Sequence, residues 1–474
     1  MAGLFAELQR TTQALAAQSE GVFTAGRNMA NVNNPAYARQ RVVLGDKGVI
    51  QTTLGSQSLG IEAVGLRNIR DALLDAQVSR ETSSQSSLEA QFDALSKAQL
   101  ALGQQIDSKD GSSFVDGATN SSSQGIGAAI DNLFNAFSSL AASPRSTAER
   151  QVLFQQAQSL VNGMHTVDNR LAAVQNDITD QVTTDVGKVN ELLSTISDLN
   201  QQIGRFEVGN PGSALDLRDQ RQARLEELSQ YINFDVENVP DSAGQIRILS
   251  RDSADNPVVL LDSAKPFSAV TFNGTNVFGG RPATQLALSS GRIAGGLSAR
   301  DGTIADLRTS LNSLATQLVT TVNGAYNPGG AYTNFFDAAG TTAATIALDG
   351  TLTQDNIRTS TTADPGANDI ALAVTGLATT VFSTGSGAQF NGTFGSYYRG
   401  IVANIGNATS NAQGLLEDQT TLSNAISARR DSVSGVSLDE EMADLTKYQR
   451  AYEASARMMR AIDEMLDTIV NKLG

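Results

Sequence analysis

Residues 437–474 read SLDEEMADLTKYQRAYEASARMMRAIDEMLDTIVNKLG. Taken in sevens, Leu445, Tyr452, Met459, Leu466 and Leu473 share one position. Tyr448, Ser455, Ile462 and Ile469 share the position three residues later. Apolar residues at this spacing form a seam along one side of an α-helix. Lys447, Arg450, Glu453, Arg457, Arg460, Glu464 and Asp467 take the opposite side. Ala451, Met458 and Met465 widen the stripe beyond what a two-stranded seam needs. A helix over the whole stretch reaches about 55 Å. Ser437, with Glu440 three residues on, reads as a capping box, and Asp439 adds negative charge to the first turn. The plain reading is an amphipathic helix on its own core. The sharper reading is a terminal coiled-coil strand that buries its stripe against a partner, another subunit included.

The partner candidate lies at the other end of the chain. Leu8, Leu15, Val22 and Met29 are also seven apart, flanked by Leu4, Phe5, Ala25 and Val32. Gly21 and Gly26 weaken this helix by about 1 kcal/mol each relative to Ala. Asn33-Asn34-Pro35 forbids its continuation. Both termini therefore read as heptad helices enclosing the rest of the chain.

The stretch from Asn28 to Gln40, NMANVNNPAYARQ, resembles the N-terminal signature of bacterial flagellar axial proteins, the rod, hook and hook-associated proteins. Its Tyr-x-Arg-Gln ending, Tyr37 to Gln40, is most similar to the hook-associated members that join hook to filament. The run Ser434 to Glu441, SGVSLDEE, and the run Leu215 to Arg221, LDLRDQR, are similar to the same family. Asn34 stands where Thr is common, and Ala36 where Gly is common. The resemblance covers about the first and last 45 residues and is patchy between them.

That resemblance implies a self-assembling structural subunit at the hook–filament junction. Its implied packing residues are Leu8, Leu15, Val22, Met29, Asn31, Pro35 and Tyr37 at one end. At the other end they are Leu445, Tyr448, Tyr452, Met459, Ile462, Leu466, Ile469 and Leu473. It implies a ring of like subunits that contacts hook protein on one side and the next hook-associated protein on the other. It also implies an export chaperone on the C-terminal helix, and export to the extracellular flagellum without a cleaved signal peptide. A hook or rod protein is the alternative within the family. A secreted coiled-coil adhesin or translocator is the alternative outside it.

Composition narrows the classes independently. The 474-residue chain carries no Cys, no Trp, one His and a formal charge of −15. Thiol–metal sites and disulfides are excluded. An acidic chain without a basic run is a poor match for nucleic acid or an anionic membrane. No apolar run is long enough to span a bilayer. Met1-Ala2-Gly3-Leu4-Phe5 lacks the basic and apolar blocks of a signal peptide.

Along the middle, Arg39 to Ile61 reads as short strands or an extended linker, and Arg67 to Ile106 as a helix loosened by the Ser83–Ser87 patch. Asp107 to Gly127 reads as a loop, in which Asp107-Ser108-Lys109-Asp110-Gly111 is a solvated turn and not a calcium loop. Ile130 to Leu140 is a short helix. Ser146 and Glu149 cap the longest helix, Thr147 to Ile203. Its stripe runs Leu153, Ala157, Leu160, Met164, Val167, Leu171, Val174, Ile178 and resumes through Val182, Val189, Ile196 and Ile203. The four-residue extra step locally unwinds a coiled coil without breaking it. His165 reads as an exposed or capping side chain. Asp216, Arg218, Asp219 and Arg221 read as surface ion pairs at spacings of three and four.

The fold class expected is mainly α with a β insertion. It is a long, discontinuous coiled-coil helical rod built from N- and C-terminal segments. Residues 1–45 and 435–474 form the terminal helices. Residues 46–233, 301–330 and 391–434 form the helical body, and 234–300 the small β domain, with Asn273-Gly274 as a hairpin turn. Residues 331–390 are a second β-rich insertion or a decorated loop. No nucleophile elbow, phosphate loop or metal-ligand cluster is present, so neither catalysis nor a cofactor is expected.

Overall fold

The structure is a computed structural model of the chain. It describes residues 2–34, 36–46, 48–52, 55–58, 60–103, 125–240, 242–263, 267–362, 364 and 366–472, with backbone alone at 2–6, 50–52, 57 and 469–472. Pro35, Leu473 and the loop turn at 107–111 lie outside the described residues, as does the side chain of Ile469.

The chain opens with α1 (Ala2–Ala30) and four strands, β1 (Gln40–Asp46), β2 (Val49–Thr52), β3 (Gly55–Ser58) and β4 (Ile61–Asn68). Helices α2 (Ala72–Ala101), α3 (Ile126–Ala142), α4 (Thr147–Phe206) and α5 (Leu215–Ser229) follow. Strands β5 (Asp235–Asn238), β6 (Ile246–Arg251), β7 (Pro257–Leu261), β8 (Thr271–Phe272), β9 (Val277–Gly279) and β10 (Thr284–Gln285) make the insertion. Then come α6 (Arg292–Ser298), a π-helical turn at Ala299–Ile304, α7 (Ala305–Tyr326), α8 (Asp369–Gly376), α9 (Phe394–Ser434) and α10 (Leu438–Lys472). The chain divides into two compact units. One comprises Met1–Gln85, Val186–Gly291 and Gln419–Gly474, and the other Ser86–Asp185 and Arg292–Asp418.

In the first unit α1 packs along α10, and an antiparallel ribbon of β1 and β4 packs on α1. The insertion is two small antiparallel sheets, ordered β5-β6-β7 and β10-β9-β8. Val258, Leu260, Val277 and Leu286 are buried between them. Sheets this small need outside support. Two asparagines of α4 supply it. Asn190 donates to the Val270 carbonyl and accepts from the Val270 amide, both at 2.8 Å. Asn200 does the same for Ile246, both at 2.9 Å. Each carboxamide mimics a neighbouring strand's peptide group, which satisfies donor and acceptor together. The expected hairpin is present, with Phe272 opposite Val277 and Gly274 at φ 94°.

In the second unit every residue of the α4 stripe from Leu153 to Ile178 is buried, as is Val182. Ser146 caps α4 by accepting from the Glu149 amide at 3.2 Å. Residues 331–390 are not β-rich. Among the described residues they hold α8, a short 3₁₀ turn and isolated bridges, Phe336 to Leu348 within the segment and Phe382 to Gly392 at its end. They behave as a wrapping loop because they supply core side chains. Phe335 packs on Phe137 and Tyr326 with ring centroids 5.0 and 5.3 Å apart. Asn323 of α7 fixes the loop by accepting from the Phe335 and Phe336 amides and donating to the Phe336 carbonyl. His165 donates from Nε2 to the Ile346 carbonyl at 2.8 Å, so the lone histidine ties α4 to this loop.

The helix expected from Arg67 begins at Ala72, because Arg67 and Asn68 complete β4. The serine patch does not loosen α2. Its small side chains let another segment approach. Ser83 bonds Ser290 at 2.7 Å and its carbonyl accepts from Gly291, both within the first unit. In the second unit a Cβ on Gly295 would lie 2.0 Å from the Ser87 carbonyl oxygen. Gly295→Ala is therefore expected to destabilise the second unit by about 2–4 kcal/mol, since backbone must move. Gly163→Ala, on α4 with nothing within 4 Å of its Cβ position, is expected to stabilise it by about 0.5–1 kcal/mol. Thermal unfolding followed by circular dichroism separates the two. Equal shifts in the same direction would contradict the packing.

Candidate functional site

The signature stretch is where the first unit's polar chemistry converges. Asn28, on the last turns of α1, is 1% exposed. Its Nδ2 donates to the Gln40 carbonyl and to Glu441 Oε2 of α10, both at 2.9 Å. Its Oδ1 accepts from the Tyr37 hydroxyl at 2.8 Å and the Gln40 amide at 3.0 Å. A carboxamide offers two donors and two acceptor sites, and all four are used. One side chain thus holds the end of α1, the start of β1 and the first turn of α10.

Arg39 holds the junction of α9 and α10. Its amide donates to the Ser434 carbonyl at 2.9 Å, at the end of α9. Its guanidinium donates to Glu441 Oε1 at 2.6 Å, Glu440 Oε2 at 2.5 Å and Asp444 Oδ2 at 3.4 Å. Glu440, the acid of the expected capping box, is thus bound by Arg39. Burial works against the Arg39 charge, but Glu441 and Glu440 outweigh it and raise its pKa. Arg39 is mostly buried and faces three carboxylates, a geometry in which charge-assisted bonds are strong.

A second cluster anchors the stretch to α5. Asp219 accepts from the Ala38 amide at 3.3 Å, Asn68 Nδ2 at 2.8 Å and Arg70 Nη2 at 3.1 Å. Arg70 also donates to the Ala36 carbonyl at 2.9 Å and pairs with Asp75 at 3.1 Å. Gln40 donates to Asp216 at 3.0 Å. Burial pushes the Tyr37 hydroxyl up to about 12, helped by the charges of Asp216 and Asp219. It stays a proton donor to Asn28. Burial likewise pushes Asp219 up to about 6, against the pull of Arg70.

The residues of the LDLRDQR run were expected to pair with one another on the helix surface. They do not. Arg218 binds Glu207 through two bonds, at 2.8 and 2.6 Å. Arg221 is buried and donates to Asn200 Oδ1 at 2.8 Å and the Gly244 carbonyl at 2.9 Å. Burial lowers its pKa to about 10. The signal was in the helical spacing. Asp219 follows buried Leu215 by four, and Arg221 precedes buried Leu225 by four, so both lie on the core face.

The terminal seam lies beside this clasp. Tyr448 rests on the α1 backbone at Gly21, where a Cβ would come within 2.5 Å of the ring. Gly21 weakens α1 as a helix and seats α10 against it. Ile462 is buried, while Leu8, Leu15, Val22, Met29, Leu445, Met459 and Leu466 are half-buried. Asn31 donates to the Arg27 carbonyl at 2.9 Å, closing α1. The Tyr37 hydroxyl and one N–H of Asn31 are therefore bonded within the chain. Phe23, Tyr452, Met458 and Met465 remain 64, 44, 56 and 50% exposed. Among the described residues no group of acids and histidine is placed to hold a metal, and no helix is long and apolar enough to cross a membrane.

The Asp219 carboxyl sets a pH dependence. A folded-state pKa near 6 against 3.8 unfolded means the folded chain holds the proton more tightly. Its contribution is fully present below about pH 4 and is lost as pH rises through 6, an effect of about 2–3 kcal/mol. Asp219→Asn removes this slope. The stability of the parent chain relative to this variant, from urea unfolding, is expected to be higher at pH 4.5 than at pH 7.5 by about 2 kcal/mol. An identical gap at both pH values would contradict a carboxyl whose burial outweighs the pull of Arg70.

Comparisons with known proteins match this geometry. Residues 112–342 match the flagellar hook-associated protein FlgK helical domain, and residues 430–473 match the C-terminal model of the flagellar basal body rod FlgEFG proteins. The chain is 26% identical to flagellar hook-associated protein 1 of Bacillus subtilis, over 100% of this chain and 99% of that protein. It is 22% identical to flagellar hook-associated protein 1 of Salmonella typhimurium, over 94% and 96%. The solved flagellar hook junction protein FlgK of Burkholderia pseudomallei shares the fold, with TM-score 0.60 and 15% identity, over 76% of this chain and 100% of that one. The chain is thus similar from end to end to flagellar hook-associated protein 1, with the two models falling on the helical body and the terminal helix.

Proposed function

We propose that the chain is a structural subunit of the bacterial flagellum, forming the junction between hook and filament by self-assembly through its terminal helices. One observation carries the reading. α1 and α10 are firmly rooted by Asn28 and Arg39, yet Phe23, Tyr452, Met458 and Met465 stand on them largely exposed. Large apolar side chains on a rigidly rooted helix pair mark a surface that other chains cover. Like subunits, hook protein and the next hook-associated protein are the partners of this surface. An export chaperone shields the same stripe of α10 before the chain leaves the cell without a cleaved signal. The role is mechanical, without catalysis or cofactor.

The test is deletion of the gene in its native host, with return of the parent chain or a Tyr452→Ser, Met458→Ser, Met465→Ser variant. Cells without the chain are expected to build hooks that lack filaments, and the parent chain to restore filaments. The variant, altered only at exposed positions, is expected to be secreted yet to leave most hooks bare. Filaments of normal number on cells lacking the chain would overturn the reading.

A further inference from the structure

The β1–β4 ribbon carries two opposed cations, Arg41 and Arg67, the first bordering the groove of Tyr448, Glu441 and Asp444. Val42 is buried and Leu66 half-buried toward α1, so the alternate residues point outward. Arg41, Val43 and Arg67 are exposed there. After the irregularity between Val43 and Leu44, exposed Val64 covers Gly45. Arg41 lies directly opposite Arg67 in the register. Opposed residues of an antiparallel pair sit about 5 Å apart at Cα, where like charges repel. Neither guanidinium forms an ion pair with a described residue. In a chain of net charge −15, a doubled cation exposed on a ribbon invites an acidic occupant.

The chain itself offers one. α10 has two acidic runs. The first, Glu440, Glu441 and Asp444, is taken by Arg39. In the second, Asp463 and Glu464 are exposed beside Met465, which is also exposed. Within one molecule the two patches cannot meet. Arg41 lines the same groove as Tyr448, and Glu464 lies sixteen residues further along α10, about 24 Å away.

We propose that the outer face of the β1–β4 ribbon receives the α10 end of a second copy, with Arg41 and Arg67 binding Asp463 and Glu464 and with Val43 and Val64 meeting Met465. The inference rests on the self-assembly reading above. It adds an orientation, because two different patches meeting across copies make a head-to-tail contact. Such a contact propagates into a ring or helix and does not close a two-fold dimer.

The test uses full-length chains in the native host deleted for this gene, comparing chain retained on sheared flagella with chain released to the medium. Arg41→Glu with Arg67→Glu, and separately Asp463→Arg with Glu464→Arg, are each expected to lower retention about fivefold, the scale of two exposed pairs made repulsive. Combining all four substitutions in one chain is expected to restore it. Unchanged retention in either double variant overturns the inference. So does a four-fold variant no better than the doubles when circular dichroism shows parental helicity. Because the chain has no cysteine, a chain carrying Arg67→Cys and Glu464→Cys gives an independent readout. Oxidation of assembled flagella is expected to yield a ladder of linked copies. A chain that is retained but gives no ladder refutes the contact and leaves the junction role standing. A parent chain absent from the flagella refutes the junction role and this contact together.

Discussion

The buried carboxamide of Asn28 is the constraint on which the first unit depends. Removed from water, its two N–H groups and its carbonyl oxygen need partners or cost about 1–3 kcal/mol for each polar group left unmatched. Those partners come from three places in the chain, the Tyr37 hydroxyl, the Gln40 backbone and Glu441. Satisfying one side chain therefore fixes the turn after α1, the start of the ribbon and the root of α10. Glu441 is shared with Arg39, whose own amide reaches the last carbonyl of α9. The α9–α10 junction is held from both sides by Asn28 and Arg39, the two ends of one short stretch. The two sequence ends, more than four hundred residues apart, are in this way a single structural element.

The same device recurs at lower stakes. Asn190 and Asn200 hold the inserted sheets to α4, and Asn323 holds the Phe335 loop to α7. In each case a helical asparagine presents a peptide-like pair of hydrogen-bonding groups to irregular backbone. This solves a problem that long helices create. Their own backbone is fully paired, so only side chains can tie loops and short strands to them. Apolar burial then supplies the bulk of the stabilisation, and the asparagines set register.

The helical half of this architecture was legible in the sequence because its signals are periodic. Leu153 to Ile178 stepped by three and four and Val182 to Ile203 by sevens, and every member of that stripe is buried. The inserted strands and the Asn273-Gly274 hairpin carried local signals of their own. What was not legible was polar chemistry that depends on long-range partners. Helical spacing puts Asp219 and Arg221 on the core face of α5, but nothing local names Asn68, Arg70 and Asn200 as their partners. Glu440 looked like a cap because Arg39 lies four hundred residues away. Residues 331–390 lacked periodicity because Phe335, Phe336 and Ile346 reach the core from a loop. Gly21 looked like a flaw in α1, and its use appears only with Tyr448 in place.

Hydrogen exchange on the full chain, comparing the parent with Asn28→Ala, tests the central claim most directly. If Asn28 roots both termini, amides in α1 near residues 20–30 and in α10 near residues 441–450 lose protection together, while α4 of the second unit is unchanged. Loss confined to α1, with α10 protected as in the parent, would show that the two helices are rooted independently and would contradict the account.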